Sequence, residues 1–287
     1  MPNAELAVVT GGAGFIGTHL CKRLLASGYK VISLDNYFTG SRENHAAGVE
    51  YREGHTRDIE RHIPEKPGIL YHLGEYSRVE KSFDEPDIVW DLNKAGTFGV
   101  LEFWRKKKPK LIYAGSSTKF ADGGLGRDQS PYAWTKASNT ELVRNYHDWY
   151  ELPFAITYFY NVYGPGERSG IYGSVIEIFR QKFLQGKPLS VVTPGTQKRN
   201  FTHVDDIVDG LLLVGEKGNG DEFGLGAKEA YSVLDVARML GGEIEMLPER
   251  KGNRMGGFLD TTKSEALGWI ARRSLADYIQ EIKEEKL

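Results

Sequence analysis

Short apolar runs alternate with longer amphipathic stretches from the start of the chain to residue 160. The apolar runs predict buried strands at residues 6–10, 30–35, 48–53, 69–73, 110–114 and 154–160. The amphipathic stretches predict helices at residues 14–27, 88–104 and 130–150. Strands that alternate with helices indicate right-handed crossovers and a parallel sheet that is covered by helices on both faces.

The alternation becomes less regular after residue 161. We expect a helix at 174–184 and a short strand at 188–192, and we expect residues 199–215 to return a strand and a helix to the main sheet. The chain is therefore predicted to form two parts. Residues 1–163, joined by 199–217, form a nucleotide-binding domain, and residues 164–198 and 218–287 form a smaller substrate-binding domain.

Composition narrows the classes of function. The chain has 287 residues, and its 37 Lys and Arg nearly balance its 39 Asp and Glu, which argues against binding to nucleic acid. Its single cysteine excludes an internal disulfide bond. The chain has no secretory signal and no long apolar span, so we expect a cytoplasmic protein with no membrane partner. His and Cys do not cluster with metal-ligand spacing, so no metal is expected.

A glycine cluster, "GGAGFIG", follows the first predicted strand and precedes the first predicted helix. Gly11, Gly14 and Gly17 permit a tight turn, a close backbone approach to a pyrophosphate, and close packing of helix on strand. The helix N-terminus, with Phe15 and Ile16, then faces the phosphates. This motif predicts a Rossmann-type doubly wound parallel sheet.

A carboxylate ends the second predicted strand. Asp35, followed by Asn36, lies where an acidic side chain accepts the ribose hydroxyls of a dinucleotide and repels a 2′-phosphate. The predicted cofactor is therefore NAD rather than NADP. A surface Asp after an ordinary strand–helix turn is the alternative interpretation.

Candidate catalytic residues follow the fifth predicted strand. Ser116 and Ser117 lie at its carboxyl end, where ligands bind in such sheets. Tyr132 and Lys136 are four residues apart on the next helix and therefore share a face. A neighbouring ammonium favours the phenolate, which can take a proton from an alcohol, while a serine hydroxyl binds the same oxygen. The alternative interpretation is that Tyr132 and Lys136 are an exposed pair on a helix surface with no role in catalysis.

At these residues the chain resembles the extended short-chain dehydrogenase/reductases, and within them the NAD-dependent epimerases and dehydratases of nucleotide sugars. "YHLGEYSRVEKSFDEP", "YFYNVYGPGER" and "QKRNFTHVDDIVDG" carry further parts of the likeness. The resemblance implies catalytic places for Ser116, Tyr132 and Lys136. It implies more residues at NAD, namely Asp58, Ile59, Leu73, Gly74, Tyr132 and Lys136. It also implies residues at a nucleoside diphosphate sugar, namely Glu75, Ser117, Thr118, Tyr132, Asn161, Arg199 and Arg250.

Two departures from the family pattern bear on the reaction. Glu75 stands where alanine is common, and it either faces the active site or forms an ordinary surface ion pair. Ser117 and Thr118 stand where dehydratases of this family carry an Asp–Glu pair. The leading hypothesis is therefore a C4 epimerase that works through a transient 4-keto sugar, with a dehydratase, a decarboxylase or a ketosugar reductase as alternatives. An NAD(P)-sensing regulator without turnover is the non-enzymatic alternative.

The resemblance also implies a homodimer through the helices predicted at 88–104 and 130–150. Apolar residues that could form this contact, or lie in the core instead, are Trp90, Val100, Trp134 and Trp149.

Overall fold

The computed structural model describes residues 5–249 and 257–286. The strands, in chain order, are β1 Leu6–Thr10, β2 Lys30–Asp35, β3 Glu50–Glu53, β4 Ile69–His72, β5 Lys110–Ser116, β6 Phe154–Phe159, β7 Val162–Tyr163, β8 Leu189–Val192, β9 Lys198–Asn200, β10 Thr202–His203, β11 Gly220–Leu225, β12 Ala230–Ser232 and β13 Ile244–Leu247. The α-helices are α1 Phe15–Ala26, α2 Ile59–His62, α3 Pro86–Val89, α4 Gly96–Lys107, α5 Pro131–Tyr150, α6 Val175–Leu184, α7 Val204–Lys217, α8 Val233–Leu240, α9 Thr262–Ala266 and α10 Leu275–Glu285.

The central sheet is parallel and runs in the order β11-β6-β5-β4-β1-β2-β3. The chain winds outward from β1 to β3 and then returns to wind in the opposite direction from β4 to β6. This reversal makes a topological switch point between β1 and β4, where the carboxyl ends of the strands open a crevice. The predicted Rossmann-type fold is confirmed.

The strands are apolar on both sides because helices cover both faces of the sheet. Within β1, Val8 packs in one core cluster with Leu101 and Trp104 of α4. Its neighbour Val9 packs in the other cluster with Leu20 of α1 and Leu211 of α7. All six side chains are fully buried, which explains why the alternation of strands and helices could be recognised from hydrophobicity.

The helix predicted at 88–104 is three consecutive helical segments. A π-helical turn, Trp90–Ala95, joins α3 to α4. Val100, one of the candidate dimer residues, is fully buried in the core, so it cannot contact a partner. Trp90, Trp134 and Trp149 are exposed by 55%, 40% and 59%.

The prediction that residues 199–215 add a strand to the main sheet is wrong. In that segment β9 pairs with β12 and β10 pairs with β7, while α7 packs against α1 and the sheet. The free edge of β6 is instead taken by β11. Residues 220–225 therefore belong to the nucleotide-binding part, and the predicted assignment of 218–287 to the second domain needs this correction. The side chain of Trp269 likewise packs in the core of the sheet.

The remaining C-terminal elements pack around a separate hydrophobic core. Its buried members include Phe179 of α6, Leu189 of β8, Val236 of α8 and Ile282 of α10. Two small sheets, β8 with β13 and β9 with β12, complete this part. It lies beside the nucleotide-binding part and supplies residues to the same cavity, as described below.

Candidate active site

The loop between β1 and α1 is built for a close backbone approach. Gly11 has a positive φ of 74°, and a Cβ there would lie 2.9 Å from the Cα of Gly74. A Cβ on Gly17 would lie 2.1 Å from the carbonyl oxygen of Gly11, so a larger side chain cannot fit without displacing the backbone. Helix α1 begins after Gly14 without a side-chain cap. Its first N–H groups are therefore open to an anion, and this loop fits a pyrophosphate.

Asp35 lies at the carboxyl end of β2 in the same cavity. Its two oxygens accept the backbone N–H groups of Ala13, at 2.9 Å, and Tyr37, at 2.8 Å, which fixes the carboxylate beside the glycine loop. Burial raises the pKa of Asp35, and the two N–H donors only partly oppose that effect. Asn36 also lines the cavity. The donor and acceptor groups at this end fit the adenosine half of NAD.

The adenine residues implied by the resemblance lie elsewhere in the described structure. Asp58 and Ile59 are not among the residues that line the cavity. Ile59 is 1% exposed in the core, and the carboxylate of Asp58 lies 3.7 Å from the guanidinium of Arg57. A contact between these residues and adenine stays a prediction.

The proposed catalytic residues meet at the carboxyl end of β5. The Tyr132 hydroxyl donates to Ser116 Oγ at 3.1 Å, and Thr118 Oγ1 lies 2.9 Å from the same atom. Ser130 caps the start of α5 by accepting the N–H of Ala133 at 3.1 Å, and Pro131 follows it. This start places Tyr132 in the first turn of the helix.

Lys136 lies one turn beyond Tyr132, and its amine is engaged with the protein. The ammonium donates to the carboxylate of Glu75 and to the carbonyl of Ala114. The side chains of Lys136 and Glu75 are only 6% and 4% exposed. Burial raises the pKa of Glu75, but the charge of Lys136 and the hydrogen bonds from Lys136 and Thr97 outweigh burial, and the net effect lowers it. Glu75 is thus a buried counter-ion, and the prediction that it binds substrate directly is not supported by its contacts.

The residues implied at the substrate are only partly brought together. Asn161 lines the cavity, has a positive φ of 36°, and donates to the carbonyl of Asn200 at 3.4 Å. Arg199 also lines it and donates to the carbonyl of Lys198 at 2.8 Å. Arg250 lies outside the described residues.

Most of the predicted site residues line one cavity of about 1080 Å³. It extends from the glycine loop, past the Tyr132–Ser116 pair, to residues of the C-terminal part. The predicted site residues that line it are Gly11, Gly14, Phe15, Ile16, Gly17, Asp35, Asn36, Leu73, Gly74, Glu75, Ser116, Ser117, Thr118, Tyr132, Lys136, Asn161 and Arg199. A cavity shared by two parts of a chain is a usual place for a ligand site.

Sequence reasoning missed several charged and polar residues of this cavity. Glu167 accepts the N–H and the hydroxyl of Ser174, both at 2.8 Å, and lies 3.9 Å from the guanidinium of Arg78. Burial raises the pKa of Glu167 to about 7. Gln197 is 5% exposed, and its side-chain oxygen has no hydrogen-bond partner in the described structure. Arg78, Glu167 and Gln197 lie within the three segments that carry the family likeness. Their position in those segments was the only sign in the sequence that they belong to the site.

The described residues include no group of three or more His, Cys, Asp or Glu arranged to hold a metal ion. They also include no helix that is both long and apolar enough to span a bilayer. The absence of a metal from the site stays a prediction.

Comparisons with known proteins place this site in a family. A model of the NAD dependent epimerase/dehydratase family matches residues 7–226. The chain belongs to that family. The family predicted from the sequence is thereby confirmed, and so is NAD as its cofactor.

Several relatives cover nearly the whole chain. A putative UDP-glucose 4-epimerase of Methanocaldococcus jannaschii is 29% identical over 96% of this chain and 97% of its own. A UDP-glucose 4-epimerase of Thermotoga maritima, solved with UDP-glucose, superposes with a TM-score of 0.91 at 28% identity over 98% of this chain and 99% of that one. The Thermus thermophilus enzyme of the same name, solved with NAD, gives a TM-score of 0.89 at 28% identity over 98% of both chains. UDP-glucuronic acid decarboxylase 2 of Arabidopsis thaliana is 30% identical over 93% of this chain and 65% of its own.

Proposed function

We propose that the protein is an NAD-dependent nucleotide-sugar epimerase that inverts C4 through a transient 4-keto sugar. The observation that carries the proposal is the hydrogen bond of 3.1 Å from Tyr132 to Ser116, in the same cavity as the glycine loop. Relatives and solved neighbours named as UDP-glucose 4-epimerases support the choice of a nucleotide sugar.

The chain's own residues supply binding and proton transfer. Tyr132, as the phenolate, takes the proton of the sugar hydroxyl and later returns it. Ser116 hydrogen-bonds to the same oxygen and stabilises its changing charge. When bound, NAD accepts and returns a hydride at that carbon. The carboxylate of Asp35 would hold the adenosine ribose of the dinucleotide, and the open N–H groups of α1 would hold its pyrophosphate.

If the nucleotide is held firmly, the sugar ring can rotate in the cavity, and present its other face, without leaving the protein. Arg199 and Asn161 line the same cavity, where they can bind the diphosphate. Binding energy gained at this non-reacting part of the substrate serves the reaction at the ring. Arg250 stays a predicted second contact.

The engagement of Glu75 argues against the dehydratase alternative. Elimination across C5 and C6 needs an acid–base pair beside the ring, and Ser117 and Thr118 cannot supply one at neutral pH. Glu75 could have replaced the missing carboxylate, but both its oxygens accept hydrogen bonds from the protein. An epimerase needs no such pair.

The proposal is tested with purified NAD-loaded protein and a panel of UDP-, GDP-, CDP- and dTDP-hexoses. Chromatography of the released sugars should show interconversion of C4 epimers for at least one nucleotide. The Tyr132→Phe variant should lose turnover by about 10²–10⁴-fold and retain NAD. Unchanged turnover in that variant, or conversion of the sugar without inversion at C4, would refute the assignment.

We also propose a homodimer through α4 and α5. Trp90 and Phe98 are each 55% exposed, and Trp134 is 40% exposed. The rings of Trp90 and Trp134 stack at 6.0 Å with an interplanar angle of 11°. Clustered exposed aromatic residues are typical of the buried centre of a protein interface. A cytoplasmic location stays a prediction from the sequence.

A further inference from the structure

A buried carboxylate contacts the amine that the proposed mechanism uses. Glu75 follows β4, and Lys136 lies in α5, 61 residues later. The Lys136 ammonium is held by Glu75 and by the carbonyl of Ala114 in β5. Because the pair is almost inaccessible to solvent, the two charges interact more strongly than a surface pair would.

Neutral donors from several elements hold the other oxygen of Glu75. Thr97 of α4 donates at 2.6 Å, Asn139 of α5 at 2.8 Å and Tyr113 of β5 at 3.1 Å. These bonds fix the carboxylate in one orientation and favour its charged form. The carboxylate cannot turn toward a substrate without leaving several buried donors unpaired.

The charged and titratable groups around the pair are few. His72 of β4 faces Glu75, but burial lowers the pKa of His72 to about 4 and keeps it neutral. Lys94 of the π-helical segment also faces Glu75 and donates to Asn139 at 2.8 Å. Burial and the Glu75 carboxylate raise the pKa of Tyr113 well above its ordinary value, so it too stays neutral.

Tyr132 lines one cavity with the cations Lys136 and Arg78 and with the carboxyl groups of Glu75 and Glu167. Lys136 lies one turn along the helix, Arg78 lines the same cavity, and Tyr132 is close enough to interact electrostatically with Arg78 and Tyr113. Each cation favours the phenolate, whereas the Glu75 carboxylate disfavours it. An unpaired lysine would therefore favour the phenolate more than this paired one.

We propose that Glu75 is a positioning residue that anchors the Lys136 ammonium and offsets part of its charge in the cavity that Tyr132 lines. The inference rests on the proposed role of Tyr132 as the base. Glu75 acts through Lys136 and does not touch the substrate. The alanine that is common at this position in the family would leave the lysine without this counter-ion.

The test titrates Tyr132 in the NAD-loaded protein without substrate. The near-ultraviolet absorbance of phenolate is followed against pH, and the titration of a matching Tyr132→Phe protein is subtracted to remove the other tyrosines. We expect Glu75→Gln to move the midpoint to lower pH by about 1 unit. Glu75→Asp, which keeps the charge, should restore a midpoint near that of the unmodified protein. Glu177→Gln is the matched control, because Glu177 has a similarly buried side chain, 7% exposed, that bonds to Arg180 and Gln181 outside the cavity.

The outcomes separate this inference from the proposed function. A midpoint in Glu75→Gln that is unchanged, or that moves to higher pH, overturns the inference even if the protein becomes less stable. Should Glu75→Gln fail to fold, Glu75→Ala must give the same downward shift. The titration needs no turnover, so a protein inactive on every sugar would refute the proposed function and leave this result interpretable. In an active enzyme, the acid limb of kcat against pH should move with the phenolate midpoint.

Discussion

Tyr132 and Ser116 lie 16 residues apart in the chain, yet the phenolic hydroxyl of one donates to the Oγ of the other at 3.1 Å. The contact joins the first turn of α5 to the carboxyl end of β5. It brings a proton acceptor and a hydrogen-bond donor to the same point of the cavity, within reach of one sugar oxygen.

Removal of the serine hydroxyl should slow the reaction without weakening substrate binding. In Ser116→Ala we expect kcat to fall by about 10²-fold with little change in KM, because the lost hydrogen bond acts mainly on developing charge. Steady-state kinetics on the active sugar measure this. Ser27→Ala, at the exposed end of α1, is the control and should behave like the unmodified enzyme. An equal loss in both variants would contradict a specific role for Ser116.

A methyl group at Gly17 should disrupt the cofactor loop. The added Cβ would lie 2.1 Å from the carbonyl oxygen of Gly11, so the loop must move. We expect Gly17→Ala to weaken NAD binding at least about tenfold, which corresponds to about 1.4 kcal/mol. Calorimetric titration with NAD measures the affinity. Gly257→Ala is the control, since a Cβ there meets no atom within 4 Å, and its NAD affinity should not change.

Neutralisation of Asp35 should relax the choice between NAD and NADP. Asp35→Asn removes the charge that would repel a 2′-phosphate and one acceptor for the ribose hydroxyls. We expect the ratio of the Kd for NADP to the Kd for NAD to fall at least about tenfold. Fluorescence titrations with both cofactors measure this ratio. Asp84→Asn, whose side chain is 67% exposed, should leave the ratio unchanged, and an unchanged ratio in Asp35→Asn would remove Asp35 from the cofactor site.

A charge on the exposed aromatic surface should break the proposed dimer. Trp90 is 55% exposed and stacks on Trp134. In Trp90→Glu we expect a monomer in size-exclusion chromatography with light scattering, because an unpaired carboxylate would be buried at the interface. Ile270→Glu, at a residue 58% exposed on another part of the surface, should remain a dimer. A monomeric unmodified protein would contradict the interface.

The buried carboxyl of Glu167 should make stability depend on pH. Its folded-state pKa of about 7 lies above the ordinary value of 4.5, so the folded protein binds more protons than the unfolded chain between these values. The contribution of Glu167 to stability is therefore present below pH 4.5 and is lost as the pH rises to about 7. Its size is on the order of 3 kcal/mol.

Chemical denaturation from about pH 4.5 to about pH 8 measures this dependence. As the pH rises, the unfolding free energy of the unmodified protein should fall relative to that of Glu167→Gln. Glu60→Gln, whose side chain is 50% exposed and pairs with Lys106, serves as the comparison variant. A difference that stays constant over this range would show that Glu167 is ionised throughout.

The sequence by itself determined the features that depend on local periodicity and short spacing. Strand β1 and the loop from Gly11 to Gly17 follow from an apolar run and from glycine positions, since a backbone turn of this kind needs no distant partner. The shared helix face of Tyr132 and Lys136 follows from their spacing alone. These features were enough to predict the sheet, the cofactor and the family.

Only the tertiary structure decided which partner each buried polar group meets. The spacing that joined Lys136 to Tyr132 gave no sign that its amine would pair with Glu75. That contact depends on how α5 packs against β5, the strand that pairs with β4. The sequence also could not show, for the same reason, that β11 pairs with β6 or that Glu167 lies beside Arg78. Hydrophobic periodicity reports how far a residue is buried, whereas the identity of its neighbour is set by segments distant in the chain.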